Sequence, residues 1–497
     1  MTPDGRSLLN GTDLRGSEEG LTDDFATRFG YAFALWLAKQ RETTPDKLTV
    51  AVGHDPRASG QRLERALIAG FTSADCDVLQ CALTTAPALY MIMHAGKKLA
   101  DGAVMVTAGD APAGINGFEC ATRDGMLDAC DARLVLAHAL VLQVPVRLVS
   151  KYDAIAPYLK RLAVMARERL EDDAPKPLLG LHVIVDAANG AGGFYADFLA
   201  SLGAETSGSY HLEPDGAFPA HALSASDPAA LAALGQAVTD NEADLGVLFD
   251  ADCGRTAMID ETGRAISGNR LIALISAILL NKKPGATIVT DSVTSSGLSR
   301  FISEWGGVHY RFKRGCKNVI DEAVRLNEEG IDCPLAIETS GHAAFRENGF
   351  LDDGMYLATR IVCEAYDKKR FGERVSDYLD SLHESVEAAE IRFQLDERDW
   401  TEESNDIIEM ILSHTLDHAG WRLATDSREG VRILFNLDGG VENAWFQLRM
   451  SVNDPEIMVL NAESDVPGGV SRILGELYRL LDGNCASDLT SLRNAFI

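Results

Sequence analysis

One pattern recurs three times along the chain and limits its fold more than any other feature. The copies read "LTVAVGHDPRASGQRLERALIAGF", "LHVIVDAANGAGGFYADFLASLG" and "ATIVTDSVTSSGLSRFISEWGG". Each opens on an apolar, β-branched run suited to a buried parallel strand. Each breaks at a small-residue turn holding Gly60, then Gly190, Gly192 and Gly193, then Gly297. Helical spacing follows at Leu63, Leu67 and Phe71, at Phe194, Phe198 and Leu202, and at Leu298, Phe301/Ile302 and Trp305. Gly70, Gly203 and Gly306 stop the helices, and a further strand run comes next. Strand, crossover helix and strand, met three times, predict an α/β chain of three related modules with mixed, largely parallel sheets.

A chain of 497 residues is too long for one core. After Glu390 the pattern changes: "RILFNL", "AWFQLRMS" and "IMVLNAES" are closely spaced strands, and a helix runs from about Gly469 to Leu481. That predicts a C-terminal α+β domain. Linker signals near Ser150, at "EDDAPKP", near Arg264 and near Glu387 set the expected boundaries at 1–150, 151–264, 265–387 and 388–497.

The net charge of −28 argues against nucleic acid, whose phosphates need Lys/Arg neutralisation, and against anionic membrane surfaces. An anionic ligand would need a local basic cluster. Nine cysteines are scattered without a CxxC pair, which fits free thiols and a cytoplasmic protein. Leu271 to Leu280 is too short to span a bilayer and reads as a buried helix. The residues do not specify an oligomeric state.

Several loops carry candidate chemistry. In "VTAGDAPAGINGF" an apolar strand run ends in small and polar residues, as if to display a reactive side chain, but the centre is Gly109. "GVLFDADCGRTAMIDE" ends a buried strand at Asp250-x-Asp252, two carboxylates able to face one hard cation. The EF-hand reading of this stretch fails, because Arg255 stands where that loop requires Gly. In "AIETSGHAAF", Glu338, Ser340 and His342 suit sugar hydroxyls; a Ser–His dyad is the competing reading, without a GxSxG elbow. "HYRFKRGCKN" supplies Arg311, Lys313, Arg314 and Lys317, a phosphate-facing loop or a solvated basic face. "LRMSVNDPE" places Arg449, Ser451 and Asn453 at a turn able to cradle phosphate.

Taken in order, these loops resemble the α-D-phosphohexomutases, the family of phosphoglucomutase and phosphomannomutase. "NGTDLRG" resembles GTxGxRG, "VGHDPRASG" resembles GxDxRxSS, and "TAGDAPAGINGFE" aligns with TASHNPxxYNGxK. "DADCGR" aligns with DGDADR, "RGCKNV" resembles the VGxK loop, "ETSGH" the GExSGH loop, and "RMSVNDP" the RxSNTEP loop. The resemblance implies four domains, three related α/β modules and a C-terminal phosphate-binding domain, around a central cleft. It implies hexose-phosphate metabolism, in which a phosphoserine exchanges a phosphoryl group with a hexose phosphate. It implies Mg²⁺ held by three aspartates and the phosphoserine. It places Arg15 and Arg255 on the transferring group, Glu338, Ser340 and His342 on the sugar, and Lys317, Arg449, Ser451 and Asn453 on phosphate. Asp250 and Asp252 are then metal ligands.

The departures cluster at the reaction centre. Gly109 stands at the phosphoserine position, Asp110 at the family His, Glu119 at the family Lys, and Gly254 at the third metal aspartate. Counted as charges, the Lys-to-Glu and His-to-Asp exchanges outweigh the lost aspartate and leave fixed carboxylates in place of the phosphate. One expectation is that Asp110 or Glu119 supplies metal ligands in their stead. The main reading is a family member that binds hexose phosphate with impaired or absent phosphoserine chemistry. The alternatives are an active mutase or sugar phosphatase using another acceptor such as Asp110, and a structural partner of an active paralogue.

Overall fold

The computed structural model describes residues 8–94, 99–140, 150–396, 400–451 and 454–496. The chain separates into two compact units, residues 1–271 with 340–378, and residues 272–339 with 379–497.

The first unit is built on two sheets. In the larger one, the strands Thr49–His54, Asp77–Leu83 and Gly102–Val106 run parallel, and Ile115–Thr122 and Asp13–Ser17 continue the sheet antiparallel. Every residue of Gly102–Val106 is buried, as its unbroken apolar run requires of a central strand covered on both faces. Helices Asp23–Gln40 and Gly60–Ser73 pack together against this sheet. Thr22 caps the first of them by accepting from the Phe25 amide. The two helices approach backbone to backbone at glycines: a Cβ on Gly30 would sit 2.4 Å from the Leu67 carbonyl, and one on Gly70 2.0 Å from that of Thr27.

The smaller sheet pairs Val183–Asp186 parallel with Leu245–Phe249, and the latter antiparallel with Thr256–Ile259. Here the second module departs from the expected strand–helix–strand. After helix Phe194–Ser201 the chain meets the edge strand only at isolated bridges, His182 with Glu205 and Asp186 with Tyr210. The segment "ETSGSYH" has Gly208 at φ +83° and His211 at φ +52°, which breaks the extended run. Residues 340–378 add strand Ala343–Phe345 and helix Gly354–Arg370. Asp353 caps that helix and accepts 2.6 Å from the Tyr158 hydroxyl of helix Ile155–Leu170.

The second unit contains the third module, strands Thr287–Thr290 and Val308–Arg311 in parallel around helix Ser296–Glu304, with Leu335–Ile337 parallel on the other side. Helix Asn269–Lys282 carries the apolar run 271–280, which is buried throughout. The C-terminal domain is an antiparallel sheet of Glu387–Gln394, Ile457–Ser464, Ala444–Met450, Val431–Phe435 and Arg422–Leu423, packed by helix Gly469–Leu481. Arg432 ties this domain to the third module. It is fully buried over the Trp445 ring and donates to the carbonyls of Ser292 and Thr294.

Among the described residues, no helix is long and apolar enough to cross a membrane. No cysteine forms a disulfide.

A Gly-to-Ala change inside a helix ordinarily stabilises by about 1 kcal/mol. At Gly70 the sign reverses, because the added methyl drives apart two helices in contact. Gly70→Ala is expected to destabilise by about 1–3 kcal/mol, read as a lowered melting temperature.

Candidate active site

Arg57 organises the loop that opens at residue 107. Its side chain is fully buried and saturates its donors: Nε to Asp55 Oδ2 at 2.9 Å, Nη1 to the carbonyls of Pro112 and Ile115, Nη2 to those of Gly109 and Ala111. The Asp55–Arg57 pair serves the structure of this loop. No donor is left for a ligand, and the loop's inward carbonyls depend on this one guanidinium.

The loop presents residue 109 to two cations. Gly109 has φ +54°, and a Cβ built there would lie 3.5 Å from Arg15 Nη2 and 3.8 Å from Arg255 Nη2. Asp110 already bridges that pair, at 2.7 Å from Arg255 Nη1 and 3.6 Å from Arg15 Nη1. Burial opposes its charge, but Arg255 and then Arg15 outweigh it and hold the carboxyl below the usual range. Asp110 therefore stands as a carboxylate where an anion attached to residue 109 would be received.

Asp250 and Asp252 follow strand Leu245–Phe249 and are buried. Asp250 Oδ1 accepts from the Arg255 amide, Asp252 Oδ1 from the Gly254 amide, and Asp252 Oδ2 meets the Thr107 hydroxyl at 2.7 Å. The same hydroxyl lies 2.9 Å from Asp55 Oδ2. Burial, opposed by Arg57 and reinforced by Asp252, lifts Asp55 to about 6. Burial and then Asp252 lift Asp250 to about 8. Two buried carboxylates with too little positive charge fit a hard divalent cation, and Mg²⁺ commonly uses one or two carboxylates with the rest water and phosphate oxygen.

Neither substitute ligand set expected for this cation forms in the structure. Asp110 is turned to the arginines, and Glu119 accepts 2.8 Å from the Tyr90 hydroxyl. Among the described residues, no third His, Cys, Asp or Glu atom gathers within 4.8 Å of both aspartates. The charge count also changes. Burial, then Asp13 and Asp252, raise Glu119 well above the usual carboxyl range, which works against a fixed negative charge there.

His342 positions Arg255. Its Nε2 accepts from Arg255 Nε at 2.8 Å, and its Nδ1 lies 2.5 Å from Asp352 Oδ2 without hydrogen-bond geometry. His342 thus faces the guanidinium, and its Nε2 lone pair is engaged there rather than free to act as a base on Ser340. Ser340 is part-exposed in the preceding turn. A Cβ on Gly254 would point at Asp252 Oδ1, His342 and Asp352, at 3.4, 3.6 and 3.9 Å.

In the second unit, Glu338 is buried and accepts 2.6 Å from the Gly315 amide. The Arg314 amide donates to Glu429, and the field of Asp291 and Glu338 raises the Arg314 side chain's pKa against the opposing effect of burial. Arg449 is buried with its Nε unpaired, 3.9 Å from Glu429. Burial and then Arg314 depress its pKa, so a further anion beside these guanidiniums would be stabilising. Ser451 Oγ accepts from the Asp454 amide; Asn453 lies outside the described residues. Lys317 pairs with Asp321 at 2.8 Å along helix Cys316–Glu328. Arg311, named within the basic loop, is instead buried against Asp426, Thr294 and Ser295 and serves the fold.

Three family profiles match: "Phosphoglucomutase/phosphomannomutase, alpha/beta/alpha domain I" over residues 6–132, domain II over 156–263 and domain III over 267–385. The chain belongs to this family. A phosphoglucomutase of Neisseria gonorrhoeae is 28% identical over 486 residues, covering 96% of this chain and 97% of that one. A phosphoglucomutase/phosphomannomutase of Thermococcus kodakarensis is 27% identical, covering 90% and 92%. The crystal structure of a phosphoglucomutase/phosphomannomutase family protein from Burkholderia thailandensis shares the fold at TM-score 0.80, with 24% identity over 97% of this chain and 98% of that one.

In this member of the phosphohexomutase family the structure brings Arg15, Gly109, Asp110, Asp250, Asp252, Arg255 and His342 together within the first unit, with Glu119 close by. Glu338, Arg314 and Arg449 form a second group within the other unit. Sequence reasoning missed Asp13, Tyr90, Asp352 and Glu429. Asp13, two residues before Arg15, could have been suspected. Asp352 was masked by the helix-capping Asp353-Gly354, and Glu429 carried no signal.

Two outcomes follow from these charges. Arg57→Met strands Asp55 and four loop carbonyls; it should cost about 3–5 kcal/mol, and limited proteolysis should then cut within 109–114. The proton that metal-free protein holds on Asp250 is lost on unfolding between about pH 4 and pH 8. The folded state binds more protons there, so this contribution to stability falls as pH rises. Asp250→Asn in EDTA should therefore melt higher than wild type at pH 8 and show no such gain at pH 4, and Mg²⁺ should narrow the gap.

Proposed function

We propose that this phosphohexomutase binds hexose phosphates with Mg²⁺ on Asp250 and Asp252, and that its phosphoserine chemistry is impaired or absent. One observation carries the reading. Residue 109 has no side chain to accept a phosphoryl group, and the two arginines its Cβ would face are already bridged by Asp110. The metal would supply Lewis-acid stabilisation of phosphate oxygens. Arg15 and Arg255 would steady the phosphoryl group, Arg449 with Ser451 would hold phosphate, and Glu338 with Ser340 the sugar. Lys317 and Asn453 are assigned to the ligand by sequence alone, and the module boundaries near 150, 264 and 387 rest on linker signals in the sequence. Nine free thiols fit a reducing, cytoplasmic setting.

Asp110 as a phosphoryl acceptor is disfavoured by its ion pairs. An oxygen held by Arg255 at 2.7 Å must break that contact before it can attack.

Intact mass after incubation with glucose 1,6-bisphosphate and Mg²⁺ tests the reading. Wild type should gain no phosphoryl group, while calorimetry with glucose 1-phosphate or mannose 1-phosphate should record binding. Gly109→Ser should fold, because its Cβ meets only ordinary contacts and the left-handed backbone costs about 1–2 kcal/mol. It should then accept the phosphoryl group and gain turnover in a coupled mutase assay. A phosphorylated wild type that loses the label in Asp110→Ala would replace this reading with the aspartyl route.

A further inference from the structure

The irregular end of the second module gathers three side chains on a point unrelated to Asp250 and Asp252. Asp186 ends the edge strand Val183–Asp186 and is fully buried. The segment bridged beside it brings in His211, and the next turn brings in His221. His211 Nδ1 lies 3.1 Å from Asp186 Oδ1, and His221 Nε2 lies 2.9 Å from Oδ2. One ligand atom from each residue falls within 4.8 Å of the other two.

The hydrogen bonds around this point ask for positive charge at its centre. His221 Nδ1 is 2.7 Å from the Ala222 carbonyl, which can only accept, so Nδ1 carries the proton. A neutral His221 then directs a bare Nε2 lone pair at the Asp186 carboxylate, and two lone pairs at that distance repel. Positive charge between them removes the conflict, either a second proton on His221, whose pKa the hydrogen bond to Asp186 raises, or a metal ion. An imidazole whose far nitrogen donates to a backbone carbonyl is the arrangement that orients histidine metal ligands. Asp186 Oδ1 is likewise oriented, by the Ala188 amide at 2.9 Å. The Tyr210 hydroxyl is buried without a well-formed hydrogen bond and lies near the same carboxylate.

We propose that Asp186, His211 and His221 form a second metal site, for a borderline divalent transition metal with Zn²⁺ the best fit. Two imidazoles and a carboxylate are a recurring three-ligand zinc set, with the fourth position left to water. Ligands on a tetrahedral ion with bonds of about 2.0–2.1 Å stand about 3.3 Å apart; the two imidazoles approach different Asp186 oxygens, at 3.1 and 2.9 Å, so an ion would be received by one oxygen turned toward both rings. His211 is about one-third exposed, which leaves the ion a path in from solvent. Mg²⁺ is a poor match, because imidazole suits zinc and oxygen suits magnesium.

The site has a structural consequence. The loop it ties down carries Phe218, whose ring centroid is 5.1 Å from the Arg57 guanidinium. Arg57 in turn holds the carbonyls of residues 109–115. A metal here clips the 211–221 loop to its strand and thereby braces the loop that presents residue 109.

The test uses the full chain, stripped with EDTA and desalted. Zn²⁺ titration should give one tight equivalent in calorimetry and raise the melting temperature. Co²⁺ should give the visible absorption of a tetrahedral nitrogen–oxygen site. Both signals should persist in Asp250→Asn, which separates this site from the Mg²⁺ aspartates. Both should weaken at least about tenfold in affinity in His211→Asn, which tolerates the left-handed backbone, and in His221→Gln. Circular dichroism of each variant establishes folding. Absence of tight Zn²⁺ binding in wild type would reduce the cluster to an ion pair and overturn the proposal, as would unchanged binding in both folded histidine variants.

Discussion

Arg255 is the group on which the candidate site depends. Its amide holds Asp250, its Nε donates to His342, and its Nη1 pairs with Asp110. Around it lie Asp13, Asp110, Glu119, Asp250, Asp252 and Asp352, with Arg15 as the companion guanidinium. Such a set of acids, largely withdrawn from water, is unstable without compensating cations, protons or metal. The protein draws on all three: guanidiniums on Asp110, raised proton affinity at Glu119 and Asp250, and a place for a divalent ion at Asp250 and Asp252.

That compensation explains why the departures from the family pattern are compatible with one another. Removing the side chain at residue 109 leaves Arg15 and Arg255 facing open space, and Asp110 fills it with a fixed carboxylate. An acid at 119 could have worsened the repulsion. Protein packed around it instead favours its neutral form, with Tyr90 at hydrogen-bond distance. His342, read from its motif as a sugar contact, serves the guanidinium through Nε2, with Asp352 beside its Nδ1. The result is an anion-receiving pair of arginines already satisfied from within the chain.

Much of the fold was legible because its signals are local. The apolar runs at 49–54, 102–106 and 287–290 became buried strands, the helix expected over Gly469 to Leu481 formed over those residues, and Ser295 capped a helix as such residues do. The second module's return strand was misread, because "ETSGSYH" carries β-formers whose extended run Gly208 and His211 interrupt. The site was legible as far as motif order could carry it, to Arg15, Asp250, Asp252 and Arg255. The direction each side chain takes was not, since Asp110 had several partners open to it and only folding put Arg255 within reach.

The sequence by itself determined that three strand–helix modules and an antiparallel tail would form, and that residue 109 offers no atom beyond a hydrogen. Both are properties of covalent structure and short-range periodicity, which no long-range contact alters. Only the tertiary structure decided that Arg57 is spent on loop carbonyls, that Glu119 favours its proton, and that two histidines meet on Asp186. Charge state and ligation depend on which groups come within a few ångströms through space, and residues far apart in the chain acquire that proximity only when it folds.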